Sequence, residues 1–504
     1  MLAAGCRPTP VDPRSVLPAD ALVYLETRDL GEAIRAVTDD SSFHEAAATV
    51  PDLRAIDGIR LGIAVTGFET IEQPVTEENS ILTFQPRFVA VAETGFYTFQ
   101  VNSFVEERLG GFINETYGGG TVLETSEKHG GRYYTWTAED GRKAYSLVLG
   151  SAIFFGNDET AIEKALAVRT GELPSMTSNP KVTSGDRLAL GYVAADGIAQ
   201  IATIAGVAMA KRSSEESEVQ TFIARVLPEL LRNSMRELTW TSVKTGGCVE
   251  DTYNIALNPE VAAIFAETLV PSGTREGAVA VPSSAESVTR YDLRDPRIAW
   301  RSVLLTAPKL TDRASGSILL AFGASTFEPY GIDDPEAFLS GIGPVIHTVK
   351  LDDAGERMLI IATVNDEAAI RKGLGEEFDF GKAPEVVGQA RSWPSRDGSL
   401  LASINGSTLT VGDAEGARGM LNAARATTQK TCGGQFEAST AAAATQAQDT
   451  ITAGFIADVL STRKSENVRT YSLTETRFHR NGIDRTTTSN FGLIGTIISQ
   501  FAAE

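Results

Sequence analysis

Four blocks of this 504-residue chain occur twice, in the same order, and that repetition limits the fold more than any other feature. A block pattern that recurs at a long interval is one structural unit built twice. The first block runs from Leu17 to Leu30 (LPADALVYLETRDL) and is answered from Val281 to Leu293 (VPSSAESVTRYDL). Each reads as a proline-led strand followed by Asp-Leu at a helix start. Asp29 and Asp292 suit the N-cap, where a carboxylate accepts the free amide protons of the first turn. The second block, Gly150 to Ala161 (GSAIFFGNDETA), matches Gly406 to Ala417 (GSTLTVGDAEGA) at an offset of 256. It reads as a hairpin turn, a short strand and a helix beginning after Gly-Asn or Gly-Asp. The third pairs Leu190–Ala194 with Ala453–Ala457 at an offset of 263. The fourth pairs Leu238–Val243, with Gly247 and Thr252, against Leu473–Phe478, with Gly482 and Thr487, at 235. An apolar helix then closes each copy, from Pro259 to Leu269 and from Phe491 to Phe501.

The fall in offset between the last two blocks places about 28 additional residues in the first copy, near 206–235. The segment from Glu218 to Arg232 is helix-like, so an extra helix or helical hairpin is expected there. The strands Arg87–Glu93 and Arg132–Thr137 alternate apolar and polar residues, the mark of an antiparallel sheet with one buried face. The fold class is therefore α+β: two tandem, diverged copies of an antiparallel sheet with helices packed on one face. The expected organisation is an anchor-like segment and tether over residues 1–14, a first repeat over 15–270, a turn-rich linker at Pro271–Gly277 and a second repeat over 278–504.

A net charge of −20 disfavours phosphate backbones, and no basic patch offsets it, so nucleic acid is not an expected partner. Residues 278–504 hold 27 acids against 22 bases, which leaves most of the excess in the first half. The longest apolar run, Ile198 to Ala210, is too short to span a bilayer and reads as a closely packed core helix.

The opening Met1-Leu-Ala-Ala-Gly-Cys6 has the small residues and cysteine of a bacterial lipoprotein cleavage site. Lipidation of Cys6 is the expectation, with the true start upstream, because a signal peptide needs a basic and an apolar region before the site. The proline-rich stretch Arg7–Arg14 then serves as an extended tether. With Cys6 lipidated, Cys248 and Cys432 remain as a pair in an oxidising compartment. Both adjoin Gly-Gly, and geometry decides between a disulfide joining the halves and two free buried thiols. No CxxC and no Cys/His cluster implies zinc or iron–sulfur.

The strand Leu17-Pro-Ala-Asp-Ala-Leu-Val-Tyr-Leu-Glu26, with the Gly-Ser…Gly-(Asn/Asp)…Glu blocks at 150–161 and 406–417, resembles a bacterial domain-of-unknown-function family of exported proteins. That family opens on a Leu-Pro-Ala-Asp-Thr-Leu-(Ala/Val)-Tyr strand. The second copy departs from it, with Ser283-Ser284 where Ala19-Asp20 stand in the first. The resemblance implies an exported or lipid-anchored protein and carries over no catalytic residue.

Motifs that could carry chemistry are sparse. Lys244-Thr-Gly246 downstream of Ser178-Asn-Pro-Lys181 is similar to penicillin-binding enzymes, but that chemistry needs the serine at a helix start, one turn before the lysine. Here a proline separates them, in a Ser/Thr/Asn-rich loop. His44, His129, His347 and His479 are far apart in sequence. The acid pairs Asp39-Asp40, Asp333-Asp334 and Asp352-Asp353 sit in turn-like contexts, where carboxylates cap helices more often than they split a proton. Gly118-Gly119-Gly120 lacks the Lys-(Ser/Thr) of a phosphate loop and reads as a connection. Tyr133, Tyr134 and Trp136 fit a strand with one core face. No catalytic, cofactor or metal site is assigned. The expected function is a membrane-tethered envelope protein that binds or scaffolds an unknown protein partner. The alternative is a periplasmic carrier of a lipid or other apolar ligand.

Overall fold

The computed structural model describes the chain except for residues 1–9, 40–55, 75–79, 214–216, 271, 273–286, 353–354, 388, 423–428, 432–433, 437–471, 496–497 and 499–504. The first repeat contributes strands β1 (Val23–Thr27), β2 (Arg60–Pro74), β3 (Ser80–Glu93), β4 (Val122–Lys128), β5 (Gly131–Thr137), β6 (Lys143–Leu149), β7 (Ala152–Gly156), β8 (Ala189–Val193), β9 (Met235–Thr245) and β10 (Cys248–Leu257). The second contributes β11 (Ser287–Asp292), β12 (Ile342–Lys350), β13 (Met358–Val364), β14 (Glu385–Val387), β15 (Ala390–Pro394), β16 (Leu400–Asn405), β17 (Thr408–Asp413), the small pair β18 (Gln429–Thr431) and β19 (Gly434–Phe436), and β20 (Ser472–His479) and β21 (Gly482–Ser489). The helices are α1 (Leu30–Thr38), α2 (Thr98–Phe104), α3 (Gly110–Thr116), α4 (Glu159–Arg169), α5 (Ala195–Ser213), α6 (Ser217–Ser234), α7 (Pro259–Thr268), α8 (Pro296–Thr306), α9 (Arg313–Ser325), α10 (Pro335–Gly341), α11 (Glu367–Leu374) and α12 (Ala414–Asn422).

All strands pair antiparallel. The larger sheet has twelve strands in the order β20-β21-β10-β9-β8-β1-β2-β3-β7-β6-β5-β4. The smaller has seven, β11-β12-β13-β17-β16-β15-β14. The seven-strand order repeats the run β1-β2-β3-β7-β6-β5-β4 element for element, which establishes the α+β fold as two copies of one sheet. The ladders carry the equivalence down to single residues. One row across the first sheet is Tyr24–Ala64–Val89–Gly156–Tyr145. The corresponding row across the second is Val288–Val349–Leu359–Gly412–Leu401. Ala64, Val89, Val349 and Leu359 are all fully buried. The shared glycine of the second sequence block has one job in both copies. A Cβ on Gly156 would run into the Phe88 carbonyl, and a Cβ on Gly412 into the carbonyl of Met358, the equivalent residue of β13.

Helix starts follow the Asp pattern, with one shift. Asp29 Oδ1 accepts the Glu32 amide at 2.9 Å and caps α1. In the second copy Asp295, not Asp292, caps the helix: its carboxylate accepts the amides of Arg297 and Ile298, and Pro296 occupies the first turn. Asp292 instead accepts from the amide and hydroxyl of Ser272. Between β8 and β9 stands the helical hairpin α5–α6, where the sequence offsets place additional residues.

Strand β5 is covered on both faces. Tyr133 and Leu147 face the core under α4, with Tyr24, Phe154 and Ile162. Tyr134 and Trp136 face α2 and α3, with Val101, Val105 and Ile113. The expected tether also packs in part. Val11 donates its amide to buried Glu93 at 2.9 Å, Asp12 caps a single turn at Pro13–Ser15, and Pro13 is buried. An Asp-Pro turn supplies its own cap and a fixed φ, so this proline-rich stretch docks instead of staying extended.

Sheet membership departs from sequence order at the end of the chain. Strands β20 and β21 belong to the larger sheet, where β21 pairs with β10 from Val249–Ser489 to Ala256–Gly482. The pairing also corrects the last sequence block by one residue. Thr245 and Cys248 close the β9–β10 hairpin where His479 and Gly482 close β20–β21, an offset of 234. A one-residue slip exchanges the faces of a strand. At 234, buried Trp240, Asp251 and Tyr253 match buried Thr474, Arg485 and Thr487; at 235 they would meet exposed or half-buried partners.

The seam between β10 and β21 admits no side chain at Gly482. Its φ is +147°, and a Cβ would strike the Ile255 carbonyl. Gly482→Ala is expected to cost on the order of 2–3 kcal/mol. In amide hydrogen exchange, residues 249–256 and 482–489 should lose protection, while β12 and β13 keep theirs. Unchanged protection along the seam would contradict the pairing.

Candidate functional site

The residues singled out for chemistry are placed apart and engaged in the architecture. His129 lies in the β4–β5 turn with φ 53°. His479 closes the β20–β21 hairpin, 3.2 Å from Asp484. His347 is buried in β12, and His44 lies outside the described residues. Lys181 pairs with Glu237 at 2.9 Å, while Lys244 donates to the Ala36 carbonyl at 2.8 Å. The two lysines of the penicillin-binding resemblance thus serve different contacts. Gly246 and Gly247, at φ 59° and 92°, make the two-residue turn that follows Lys244.

The acid pairs are caps and turns. Asp39 terminates α1. Asp334 caps α10 through the Ala337 amide at 3.0 Å. Asp352 accepts the amides of Glu356 and Arg357, both at 3.0 Å, in the β12–β13 turn. Asp40 and Asp353 lie outside the described residues. Gly118, Gly119 and Gly120 all take positive φ in the connection to β4. Among the described residues, no three His, Cys, Asp or Glu side chains gather to hold a metal ion.

Of the cysteines, Cys248 opens β10, is 1% exposed and is disulfide-bonded. Its partner, and with it Cys6 and Cys432, lies outside the described residues.

Two charged clusters have defined geometry. At the base of β1, Glu26 accepts from Tyr24 Oη at 2.8 Å and from Arg187 at 2.9 Å, with Arg14 at 3.7 Å. Burial, then the charge of Glu26, raises the Tyr24 hydroxyl far above its ordinary value. This cluster ties the N-terminal turn and the approach to β8 onto the sheet. In the second copy, Glu367 on α11 bridges Arg371 at 2.6 Å and Arg391 at 2.8 Å, and both guanidiniums lie over the Trp393 ring. The hydrogen bonds of Arg391 and Arg371 hold its carboxyl below the usual range.

Two open grooves adjoin on the first repeat, of about 220 and 480 Å³. They share Arg87, Asp158 and Thr160. Arg87 is paired with Glu69 at 3.0 Å, and Asp158 caps α4. Glu69, Gln85, Arg142, Lys143 and Asn157 complete the smaller groove, so it suits a polar contact. No described helix is long and apolar enough to cross a membrane, which leaves membrane-crossing strands unaddressed.

The inter-repeat seam holds a buried carboxylate that the sequence did not single out. Asp251 accepts from Trp240 Nε1 at 2.9 Å and from the Leu493 amide at 2.7 Å. It thereby fixes the C-terminal turn, whose Phe491, Leu493 and Ile494 pack on Val37, Ala33, Tyr253 and Trp240. Its one sequence signal is the acid pair Glu250-Asp251 inside an otherwise strand-like run, Cys248 to Leu257.

His347 is the described histidine with a marked shift. It stands opposite Arg290 in the β11–β12 ladder, and burial first, then Arg290, depress its pKa to about 4. The folded state therefore holds a neutral imidazole, while the unfolded chain protonates near 6.5. The unfolded state binds more protons between those values, so stability should be full above pH 6.5, fall towards pH 4 and level off below. The full shift corresponds to about 3 kcal/mol at most. Denaturant midpoints of the native chain and His347→Gln across pH 4–7 check this; parallel profiles would count against a neutral buried His347.

No known family's sequence profile matches the chain, and no characterised protein matches it in sequence. Solved structures of TP0453 align weakly. Crystal form I shares 11% identity over 49% of this chain and 79% of its own, with a TM-score of 0.26. Form IV shares 12% over 51% and 85%, at 0.25, and form III 10% over 51% and 86%, at 0.26.

Proposed function

We propose that this chain is a non-enzymatic binding or scaffold module of the bacterial cell envelope, tethered to a membrane by a lipid on Cys6. The observation that carries the reading is the employment of its reactive side chains. The aspartates cap helices and close turns, the lysines pair with structural partners, and the aromatic trio of β5 is buried on two faces. Meanwhile large apolar side chains stand in solvent on helices outside the sheets. Tyr97 and Phe99 stack at 6.2 Å and are 46% and 70% exposed, and Phe112 is 61% exposed. Exposed aromatics on a rigid support are what a protein partner uses as anchors. A carrier of apolar ligands calls for an enclosed apolar chamber of several hundred Å³; both grooves described above are open, and the larger sets Arg87, Asp158, Glu163 and Lys164 among Phe68, Ala161 and Ala167.

The cysteines bind this reading to a testable arrangement. The chain has three cysteines, and Cys248 is in a disulfide. A cysteine whose sulfur carries a lipid thioether cannot also form a disulfide. A lipidated Cys6 therefore requires the bond Cys248–Cys432. Peptide mapping without reductant should recover that pair, and Cys6→Ser should move the protein from salt-washed membranes to the soluble fraction. Recovery of a Cys6–Cys248 peptide would overturn the tether. For the scaffold reading, affinity purification from detergent-solubilised membranes should bring down a stoichiometric protein, and Phe99→Ser with Phe112→Ser should release it. A protein recovered alone with bound lipid would favour the carrier instead.

A further inference from the structure

The β11–β12 connection of the second copy is longer than the β1–β2 connection of the first, and its helices α8 and α9 form a helical hairpin. Residues 293–341 join β11 to β12 through α8, α9 and α10, where the first copy passes from β1 to β2 over residues 28–59. One side of α8 is spent on packing: Ala299 and Thr306 are buried, and Trp300 stacks edge-on against Phe327 at 4.9 Å. The hairpin nevertheless leaves large aliphatic side chains in solvent. Ile298 is 48% exposed and Leu305 49% on α8, and Ile318 is 43% and Leu320 38% on α9.

Its charge is the reverse of the chain's. Between residues 296 and 325 stand four bases, Arg297, Arg301, Lys309 and Arg313, and one acid, Asp312. Neither α8 nor α9 contains a carboxylate, in a chain with 65 acids in 504 residues. Asp312 is already committed: it caps α9 through the Ala314 and Ser315 amides and pairs with Arg225 at 2.6 Å. At helical spacing, Arg297, Ile298, Arg301 and Leu305 share one exposed face of α8, on which Arg301 pairs with Glu336 of α10 at 3.2 Å. Exposed aliphatic residues interleaved with arginine are the composition of a helix lying in a lipid interface. The other exposed apolar surface differs on this point, since the segment 98–116 carries Glu106, Glu107 and Glu115 against Arg108. Like charge would hold that surface off an anionic bilayer.

We infer that the α8–α9 hairpin docks on the surface of an anionic lipid bilayer, its aliphatic side chains entering the headgroup boundary and Arg297, Lys309 and Arg313 meeting lipid phosphates. The inference extends the membrane reading without resting on the lipid, because the contact is made by the folded chain itself.

The test uses full-length Cys6→Ser protein, which has no anchor, and sedimentation with vesicles of phosphatidylcholine alone or with about one-third phosphatidylglycerol. Binding to the anionic vesicles only, weakening with added salt, is the expected result. Arg297→Glu with Arg313→Glu should lower the partition coefficient about tenfold or more. Ile318→Ser with Leu320→Ser should lower it comparably, and both variants should melt like the parent because the residues are exposed. No binding by the folded protein, or variants that bind as the parent does, would overturn the proposal. Capture of a protein that is lost with Ile318→Ser/Leu320→Ser, in the absence of vesicle binding, would assign the face to that protein instead. Cell fractionation of Cys6→Ser after a high-salt wash, which releases a charge contact but not a lipid anchor, reports on the tether separately, so failure of one idea leaves the other standing.

Discussion

The larger sheet depends on the backbone ladder between β10 and β21. Without it, β10 would be an edge strand with a row of free amides and carbonyls, and β20–β21 an isolated hairpin, which is marginal in water. Eight residue pairs close both gaps at once. The two strands hold equivalent positions in the two copies, since Thr252 lies opposite Thr486, its own counterpart at the offset of 234. An antiparallel contact between equivalent strands is two-fold by construction, the same patch used on both sides, as in a symmetric dimer. The seam is thus what a pair of identical units would make, retained within one chain. Divergence has since specialised it: Asp251, bonded to Trp240 and Leu493, matches Arg485 in the other copy.

A frame built twice separates what the fold needs from what each copy has added. The five-residue rows through Ala64 and Val349 and the paired close contacts at Gly156 and Gly412 belong to the frame. The additions are helical. In the first copy they are α2–α3, over one face of β5, and the α5–α6 hairpin; in the second it is the longer connection through α9 that follows α8, the counterpart of α1. A sheet of this kind can be closed without them, so their exposed side chains are the reasonable place to look for what distinguishes this protein from its own repeat.

The duplication was legible because glycine positions and hairpin lengths are fixed by backbone geometry. The block at Gly150–Ala161 kept its offset of 256 since both hairpins turn on the same residues, with Tyr145 and Leu401 opposite Gly156 and Gly412. The last block slipped by one residue because Leu-Thr-x-Thr and the Gly–Thr pair match by identity at 235, whereas register is counted from the turn. Residue identity says nothing about pleat direction, and burial of Trp240 and Thr474 does. The hairpin α5–α6 could be read from the falling offset. The hairpin α8–α9 could not: the ladders put Ala64 against Val349, a shift of 285, and Val89 against Leu359, a shift of 270. The later insertion of α2–α3 in the first copy then returns the offset to 256. One insertion in the second copy was offset by two in the first, the longer β2–β3 hairpin and the α2–α3 segment. Membership of β20 and β21 in the other sheet was equally hidden, since edge pairing is made by backbone groups that every residue carries.

Charge distribution then decides which added surface can meet which partner. A body at −20 is repelled by an anionic surface at every orientation but one that leads with its positive part. At physiological salt the screening length is about 8 Å, so the sign of the nearest helices matters more than the distant total. On the proposed docking the pair α8–α9, neither helix of which holds a carboxylate, would be such a leading edge, and the segment 98–116, with Glu106, Glu107 and Glu115, would turn away under the same field. Contact through one hairpin would therefore orient the whole molecule, with Tyr97, Phe99 and Phe112 directed by repulsion away from lipid and left accessible to a protein. Binding of a membrane by one copy's added helices and of a partner by the other's, as proposed, would be a division of labour that a single, undivided sheet domain would not supply.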